Sequence, residues 1–158
     1  MTKMATLACA GNADAIASYA RRGSECAYAN LKLMTRVLNS LYDDALRAVD
    51  LHAGQLALMW AIVAMEPVEF VRLGEVTLTD QTTLSRTVAK LKKARLVSVR
   101  PARDRRVKLV ALTPSGRRRF GQAMPLWEKA QQRAAALLPL ADVRALARQA
   151  RKASRPPA

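Results

Sequence analysis

The sequence has few of the residues that build metal sites, disulfide scaffolds and catalytic centres. One histidine, His52, and two cysteines, Cys9 and Cys26, occur among its 158 residues. A zinc site needs several Cys or His ligands, and a disulfide-stapled domain needs several cysteine pairs. The basic part of the chain also lacks suitably spaced paired carboxylates, and the chain lacks a phosphate-binding glycine loop. We therefore expect no metal, no cofactor and no enzymatic activity.

Glycine, proline and long apolar runs are also scarce. Six Gly and seven Pro disfavour a low-complexity or collagen-like chain. No stretch of 18 apolar residues occurs, and the segment after Met1 is too weakly hydrophobic for a signal-peptide core. With 51% apolar and 25% charged residues, the composition is that of an ordinary globular domain with a real core. We expect a cytoplasmic location and no membrane partner.

Acidic residues are few, because 12 Asp and Glu accompany 27 Lys and Arg, for a net charge of +15. Between Thr79 and Phe120 there are 13 basic residues and only two acidic ones, Asp80 and Asp104, a net charge of +11. A solvated charged face usually intersperses both signs. The clustering therefore favours a polyanionic partner, and it predicts a nucleic-acid surface in this window.

The spacing of apolar residues predicts helices over most of the chain. Residues 1–24 show no sustained period and are expected to form a loosely ordered arm. Over Glu25–Val49, apolar residues recur three and four positions apart, which predicts a long helix. A second helix is predicted between Asp50 and Pro67, and a short third one over Val68–Thr77. The apolar stripe predicted for the second helix consists of Leu56, Met59, Trp60, Val63 and Ala64.

The clearest helix start lies at Thr79 or Asp80, whose side-chain oxygen can accept hydrogen bonds from the free amides of a first turn. The apolar stripe of the helix that follows is Leu84, Val88 and Leu91. Its opposite face is small, hydroxylated and basic, and carries Thr82, Arg86, Ala89, Lys90 and Lys93. No acidic residue follows Asp80 in this helix, whereas an ordinary exposed helix often pairs Glu with Lys.

Two short runs rich in Val and Leu flank the polar segment Pro101–Arg106 and predict a β-hairpin. Its tip carries Arg103, Arg105 and Arg106. Alternation along both runs predicts an inward-facing set of Val97, Val99, Val107, Leu109 and Ala111.

Two more helices are predicted toward the C-terminus. Thr113 and Pro114 are suited to the cap and first position of a helix that reaches Leu138. Pro125 should kink or interrupt that helix. The last helix is predicted from Ala141 to about Lys152.

This order of elements predicts a mainly α protein with a small β-hairpin wing, that is, a winged helix-turn-helix. An α-helix fits the major groove of duplex DNA, where its side chains can read base edges. Arginines on a protruding hairpin suit the adjacent narrower groove, where the negative potential is strong. Double-stranded DNA is therefore the expected partner.

Several segments resemble the MarR family of bacterial transcriptional regulators, in the family's order and nearly its spacing. They include "LKLMTRVLNSLYDDAL", "TTLSRTVAKLKKARLV" and "RDRRVKLVALTPSGRRRF", and they cover residues 26 to about 138. The most specific match is Asp104 and Arg106 followed by "VKLVALT". The resemblance implies a homodimer joined through its first and last helices, with a recognition helix in each major groove of an operator. It also implies a small phenolic or other amphipathic effector, or a thiol oxidant, that alters the half-site spacing.

The same resemblance implies a set of DNA contacts. The recognition-helix residues expected at bases and phosphates are Thr82, Thr83, Ser85 and Arg86. Lys90 and Lys93 are expected on phosphates, where they add affinity without specificity. The wing residues are Arg103 and Arg105 at the minor groove, Arg106 on DNA or on Asp104, and Asp104 as support of the hairpin. For all of them the alternative is an ordinary exposed position.

The effector site of the family lies between the dimerisation helices and the DNA-binding lobe. This points to the region of Tyr28, Met34, His52 and Trp60, although each also suits a packing or capping role. Lys32 or Arg36 is a candidate partner for an effector carboxylate. Cys26 lies two residues from the position of the reactive thiol in the peroxide-sensing branch, so a small buried residue is favoured over a redox sensor.

The resulting organisation has a winged helix-turn-helix lobe over residues 51–113 and a helical dimerisation region over residues 25–50 and 114–152, followed by a tail over residues 153–158. One departure is that Thr77 and Leu78 stand where the family usually has Leu-Gly, which predicts a differently shaped turn before the recognition helix. The predicted function is a sequence-specific transcriptional regulator that acts as a repressor. The alternative is a basic architectural protein that coats DNA without sequence preference.

Overall fold

The computed structural model describes residues 16–17, 19–20 and 22–153. Contacts divide the chain into two units, residues 1–38 and residues 39–158. Most of the arm over residues 1–24, including Cys9, and the tail beyond residue 153 lie outside the described residues. The helices are α1 (Ala27–Leu46), α2 (Ala53–Met65), α3 (Phe70–Thr77), α4 (Gln81–Lys93), α5 (Pro114–Leu137) and α6 (Leu140–Ala153). The strands are β1 (Val68–Glu69), β2 (Val97–Pro101) and β3 (Lys108–Leu112).

The starts of α4 and α5 agree with the predicted caps. The Asp80 carboxylate accepts a hydrogen bond from the Thr83 amide at 2.9 Å, and the Thr113 hydroxyl oxygen accepts one from the Gly116 amide at 2.9 Å. Pro114 occupies the first turn of α5, where its missing N–H costs nothing. Helix α5 continues through Pro125 to Leu137, so of the predicted kink or interruption the interruption is wrong, and the kink stays a prediction. Buried alanines on both sides of Pro125, at positions 123 and 130, hold the helix against the core.

The third helix begins two residues later than predicted, because Val68 and Glu69 form strand β1. This strand pairs antiparallel with β3, and it completes a three-stranded sheet in the order β1-β3-β2. The sequence predicted only the β2–β3 hairpin. A two-residue strand is too short to show alternation, and its partner lies about 40 positions away along the chain.

Strand β3 buries the opposite face from the one predicted. The register pairs Val97 with Leu112 and Val99 with Val110. Cross-strand partners point to the same face of a sheet, so Val110 and Leu112 join Val97 in the core. The residues predicted to face inwards, Val107, Leu109 and Ala111, are only half-buried. The connection between the strands sets this register, and a shift of one residue exchanges the two faces.

The core lies in the unit of residues 39–158 and is built around α2 and α4. The predicted stripe of α4, Leu84, Val88 and Leu91, is buried. In α2 the buried residues are Leu56, Leu58, Met59 and Ile62, whereas Trp60 and Val63 remain 37% and 38% exposed. The α2 sequence is apolar around most of its circumference, so periodicity alone could not choose the buried side. The predicted stripe is therefore only partly correct.

Within the described residues, no single helix has both the length and the apolar character needed to cross a bilayer. One pair of segments, Ala27–Val49 with Ala53–Met65, meets those two criteria together but is bent by 75°.

Candidate nucleic-acid interface

The exposed face of α4 carries every residue that the sequence assigned to a recognition helix. Its members are Thr82, Thr83, Ser85, Arg86, Lys90 and Lys93, and all are exposed. The buried stripe on the opposite side presses α4 onto the core, so this polar face points to solvent. Whether these side chains contact DNA stays a prediction.

The start of α4 is held by a carboxylate that remains charged. Hydrogen bonds from the Thr83 hydroxyl and the Thr83 amide lower the pKa of the Asp80 side chain below its ordinary value. The ionised carboxylate complements the positive end of the helix dipole. Asp80 therefore stabilises the first turn of α4.

The wing loop is organised by Asp104. Its Oδ1 accepts a hydrogen bond from the Arg106 amide at 2.9 Å, and its backbone carbonyl accepts one from the Val107 amide at 2.9 Å. The side chains of Arg103, Arg105 and Arg106 are exposed. Among the described residues, none of these three guanidinium groups forms an ion pair. The loop therefore presents three guanidinium groups that are outside any ion pair, next to the single acidic residue Asp104.

Helix α4 and the wing line one open groove of about 450 Å³. Its walls include Ser85, Ala89 and Lys92 from α4, and Arg106 and Lys108 from the wing. Three basic residues of the two elements thus open onto one concave surface, which Glu69 also lines. The other predicted contacts are not among its lining residues, namely Thr82, Thr83, Arg86, Lys90, Lys93, Arg103 and Arg105. A single ligand in this groove would therefore touch both α4 and the wing.

Sequence reasoning missed Lys92 and Lys108 as members of this groove. On a helical wheel Lys92 lies about 80° from Leu84, away from the face opposite the apolar stripe. Both residues belong to the basic cluster, and that charge was the only sequence signal for them.

Glu66, which also was not singled out from the sequence, joins three elements behind the wing. It follows α2 directly, and its side chain is only 10% exposed. Its Oε2 accepts a hydrogen bond from the Leu112 amide at 2.7 Å, and its Oε1 pairs with the Arg117 guanidinium in the first turns of α5. An isolated acidic residue next to a proline gives no sequence signal for such a role.

The turn between α3 and α4 keeps a left-handed residue although it lacks glycine. Leu78 follows the last residue of α3 with φ 50° and ψ 38°. The Thr79 amide donates to the Gly74 carbonyl at 3.0 Å, which closes the end of α3. The turn therefore has the geometry of a helix C-terminus that usually selects glycine, with leucine in the strained position.

Two of the four predicted effector residues, His52 and Trp60, belong to the unit of residues 39–158. His52 is the N-cap of α2, and its amide donates to Gln55 Oε1 at 2.9 Å. Its Nδ1 lies 3.5 Å from Asp43 Oδ2, and its side chain is largely exposed. These contacts favour the capping role. Trp60 packs edge-on against Phe120 and Trp127, with ring centres 5.6 and 4.8 Å apart.

The other two, Tyr28 and Met34, belong to the unit of residues 1–38. Tyr28 is exposed, and Lys32 Nζ lies 5.8 Å from the centre of its ring. Cys26 is exposed, so its expected burial is wrong. It lies before the first residue of α1, whereas the buried residues of that helix, Leu41 and Leu46, come much later. The effector site stays a prediction.

Among the described residues, no group of three or more His, Cys, Asp or Glu side chains has the geometry to hold a metal ion.

Comparisons with known proteins agree with this geometry. A family model described as a winged helix DNA-binding domain matches residues 51–116. The transcriptional regulator MosR of M. tuberculosis, solved in complex with DNA, is 27% identical with a TM-score of 0.72, over 82% of this chain and 99% of that one. None of the curated proteins compared with the chain matches it.

Two further solved structures are similar. Bordetella bronchiseptica BpsR, whose DNA binding is regulated by 6-hydroxynicotinic acid, is 26% identical with a TM-score of 0.71, over 85% of this chain and 97% of that one. A mutant MarR from E. coli complexed with operator DNA is 23% identical with a TM-score of 0.68, over 79% and 91% of the two chains. At 23% identity, the comparison with the E. coli MarR concerns the fold alone.

Proposed function

The chain belongs to the MarR family of winged-helix transcriptional regulators, and from this premise we propose that it is a homodimeric repressor that binds a pseudo-palindromic operator in the cytoplasm. DNA binding and transcriptional regulation are properties of this family, which is not a class of enzymes. The observation that carries the proposal is the groove in which the recognition helix and the arginine-tipped wing meet. A helix in the major groove and a wing beside it would contact one duplex at the same time.

The proposed base contacts lie on the first turns of α4. Arg86 has the length and the donors to read a guanine, and Ser85, Thr82 and Thr83 can donate to bases or phosphates. Lys90 and Lys93 contact phosphates, and we add Lys92 and Lys108 because they line the groove. Arg103 and Arg105 enter the minor groove, while Arg106 contacts the backbone above Asp104.

The proposed dimer is supported by apolar side chains that the single chain leaves exposed. In the unit of residues 1–38 these include Tyr28, Leu31, Leu33 and Val37. In the unit of residues 39–158 they include Leu137, Val143 and Leu146. Helix α6 has no buried residue although its apolar residues recur with helical spacing. Exposed apolar surface of this kind marks protein–protein contact, so residues 25–50 and 114–152 form the proposed dimerisation region.

The proposed effector is a small amphipathic acid, and its binding would release the operator. The regulation of BpsR by 6-hydroxynicotinic acid supports this class of ligand. Lys32 or Arg36 is the candidate partner of its carboxylate, and Tyr28, Met34, His52 and Trp60 stay the candidate effector residues. A titration with salicylate-like anions tests this, and no change in fluorescence or operator affinity would contradict it. The exposed Cys26 thiol is the alternative sensor, for an oxidant.

The function is tested by competition. A labelled fragment of the gene's own promoter is bound to the purified protein and challenged with the same fragment unlabelled or with random DNA of equal length. A regulator requires that the promoter fragment compete at far lower concentration than random DNA. Equal competition would favour the architectural alternative, and metal-dependent cleavage of the DNA would contradict the absence of enzymatic activity.

A further inference from the structure

At the base of the wing, the Glu66 side chain makes a hydrogen bond that the backbone of a longer strand β1 would otherwise make. Strand β1 pairs with β3 so that Val68 faces Val110 and Glu69 faces Leu109. Continued by two residues, this register would set residue 66 opposite Leu112. There the Glu66 side chain, rather than a backbone carbonyl, accepts the hydrogen bond of the Leu112 amide at 2.7 Å. The carboxylate thus adds one hydrogen bond to the pairing of the short strand β1 with the central strand β3.

The second oxygen of the same carboxylate connects the wing to the next helix. Arg117 pairs with Glu66 Oε1, and it lies three residues after the first residue of α5. A carboxylate that is only 10% exposed needs such a cation, because burying an unpaired charge is costly. Glu66 therefore joins the end of α2, the base of β3 and the first turns of α5.

We propose that Glu66 is a positioning residue for DNA recognition, which sets the direction of the wing relative to helix α4. The proposal rests on the proposed function, since it assumes that the wing arginines contact DNA. Leu112 and Arg106 are six residues apart, which is roughly 20 Å along a strand, so a tilt of about 10° at the base moves the tip by about 3 Å. A displacement of that size breaks a hydrogen bond to DNA.

The sign of the expected effect separates positioning from simple electrostatics. Removal of an acidic residue makes a DNA-binding protein more positive, and that change alone strengthens binding. Glu66→Ala is expected to weaken operator binding about tenfold, because it releases both the Leu112 amide and Arg117. Glu66→Gln keeps an acceptor for the amide and loses only the ion pair, so a smaller loss is expected. Glu75→Gln, at an exposed site on α3 outside the proposed dimerisation region, is the control for charge and should bind at least as well as the unaltered protein.

A double-mutant cycle distinguishes positioning from a general loss of stability. Glu66→Ala and Glu66→Gln are measured in the unaltered chain and in a chain with Arg103→Ala and Arg105→Ala. If Glu66 acts through the wing, its substitution costs less than about twofold once the wing-tip arginines are gone, because the two effects are coupled. Circular dichroism at the assay temperature verifies that each variant is folded, and Glu66→Gln serves the cycle should Glu66→Ala unfold.

Equal losses in both backgrounds, or no loss in the unaltered chain, would overturn the inference about Glu66 while leaving the regulator intact. Failure of the unaltered protein to prefer its promoter over random DNA would overturn the proposed function and this inference together. That comparison needs no variant, so the two failures are distinguishable.

Discussion

Gly116 lies against the backbone of Leu96, at the point where α5 leaves the wing. A Cβ placed on Gly116 would stand 1.9 Å from the Leu96 carbonyl oxygen and 2.9 Å from its carbonyl carbon. The same carbonyl accepts a hydrogen bond from the Thr113 amide at 3.0 Å, which holds it in place. The close approach therefore excludes every side chain at this position, and it fixes the base of the wing against α5.

Gly116→Ala is expected to lower the free energy of unfolding by about 2 kcal/mol or more, since the backbone must shift to admit the methyl group. Urea denaturation followed by circular dichroism measures the change. Gly121→Ala is the matched control on the same helix, because a Cβ there meets nothing within 4 Å. The control should be neutral or up to about 1 kcal/mol more stable. Equal stability of the two variants would show that the close approach at Gly116 is not restrictive.

In the proposed function, Arg86 is the residue on which sequence reading by α4 would most depend. Arg86→Ala is expected to weaken operator binding by about 1 to 3 kcal/mol with unchanged unfolding, because the side chain is exposed and supports no packing. Titration of fluorescent operator and random duplexes measures both affinities. Lys93→Ala is the comparison, since removal of a phosphate-binding cation should weaken both duplexes alike. A loss at Arg86 that is the same for operator and random DNA would argue against a base contact.

Among the elements, the turn between α3 and α4 leads into the proposed recognition helix, and it contains a strained residue. A leucine with φ 50° is an outlier, because the left-handed region brings its Cβ too close to the backbone. The hydrogen bonds that close α3 hold Leu78 in this conformation. The left-handed conformation is thus present without glycine, and the expectation that this turn differs in shape from the family's stays a prediction.

Leu78→Gly is expected to raise the free energy of unfolding by about 0.5 to 1 kcal/mol, because glycine adopts the left-handed conformation at little cost. The Leu78 side chain is 53% exposed, so little packing is lost with it. Leu78→Ala is the control, since it removes the side chain and keeps the strained Cβ, and it should bring no gain. Thermal unfolding of the unaltered protein and the two variants ranks their stabilities. A stabilisation shared by both variants would assign the effect to the exposed side chain instead.

For the whole molecule, the uneven charge distribution determines how it approaches DNA. The net charge of +11 between residues 79 and 120 belongs to α4, the hairpin and the start of α5, which are contiguous in the fold. A field of one sign over a groove attracts a polyanion and speeds association. Because each neutralised phosphate releases counterions, affinity should fall steeply with salt.

Combined Lys92→Ala and Lys108→Ala substitutions should make this salt dependence shallower. The slope of log affinity against log salt is expected to change by about 0.9 for each phosphate that the variant no longer neutralises. Fluorescence anisotropy between low and physiological salt measures the slope. Lys129→Ala, on α5 and outside the groove, should leave it unchanged. An unchanged slope in the groove variant would remove Lys92 and Lys108 from the interface.

Local chemistry made a large part of this molecule readable from its sequence. The caps at Asp80 and Thr113, the buried stripe of α4 and the hairpin depend on residues a few positions apart, and each was predicted correctly. The basic face of α4 followed from the helical period once the buried stripe was recognised. Charge is visible in any sequence, so the location of the candidate interface was also predictable.

Contacts between distant residues decided the rest. The pairing of β1 with β3, the buried face of β3 and the buried side of α2 depend on which surfaces meet, and several local patterns were compatible with either outcome. Glu66 and Gly116 carry no local signal, because their roles come from Leu112, Arg117 and Leu96, far along the chain. Short-range hydrogen bonds and periodicity, which can be read from the sequence, thus determined the elements and their polar faces. Long-range packing, which only the tertiary structure shows, determined how the wing is held beside α4.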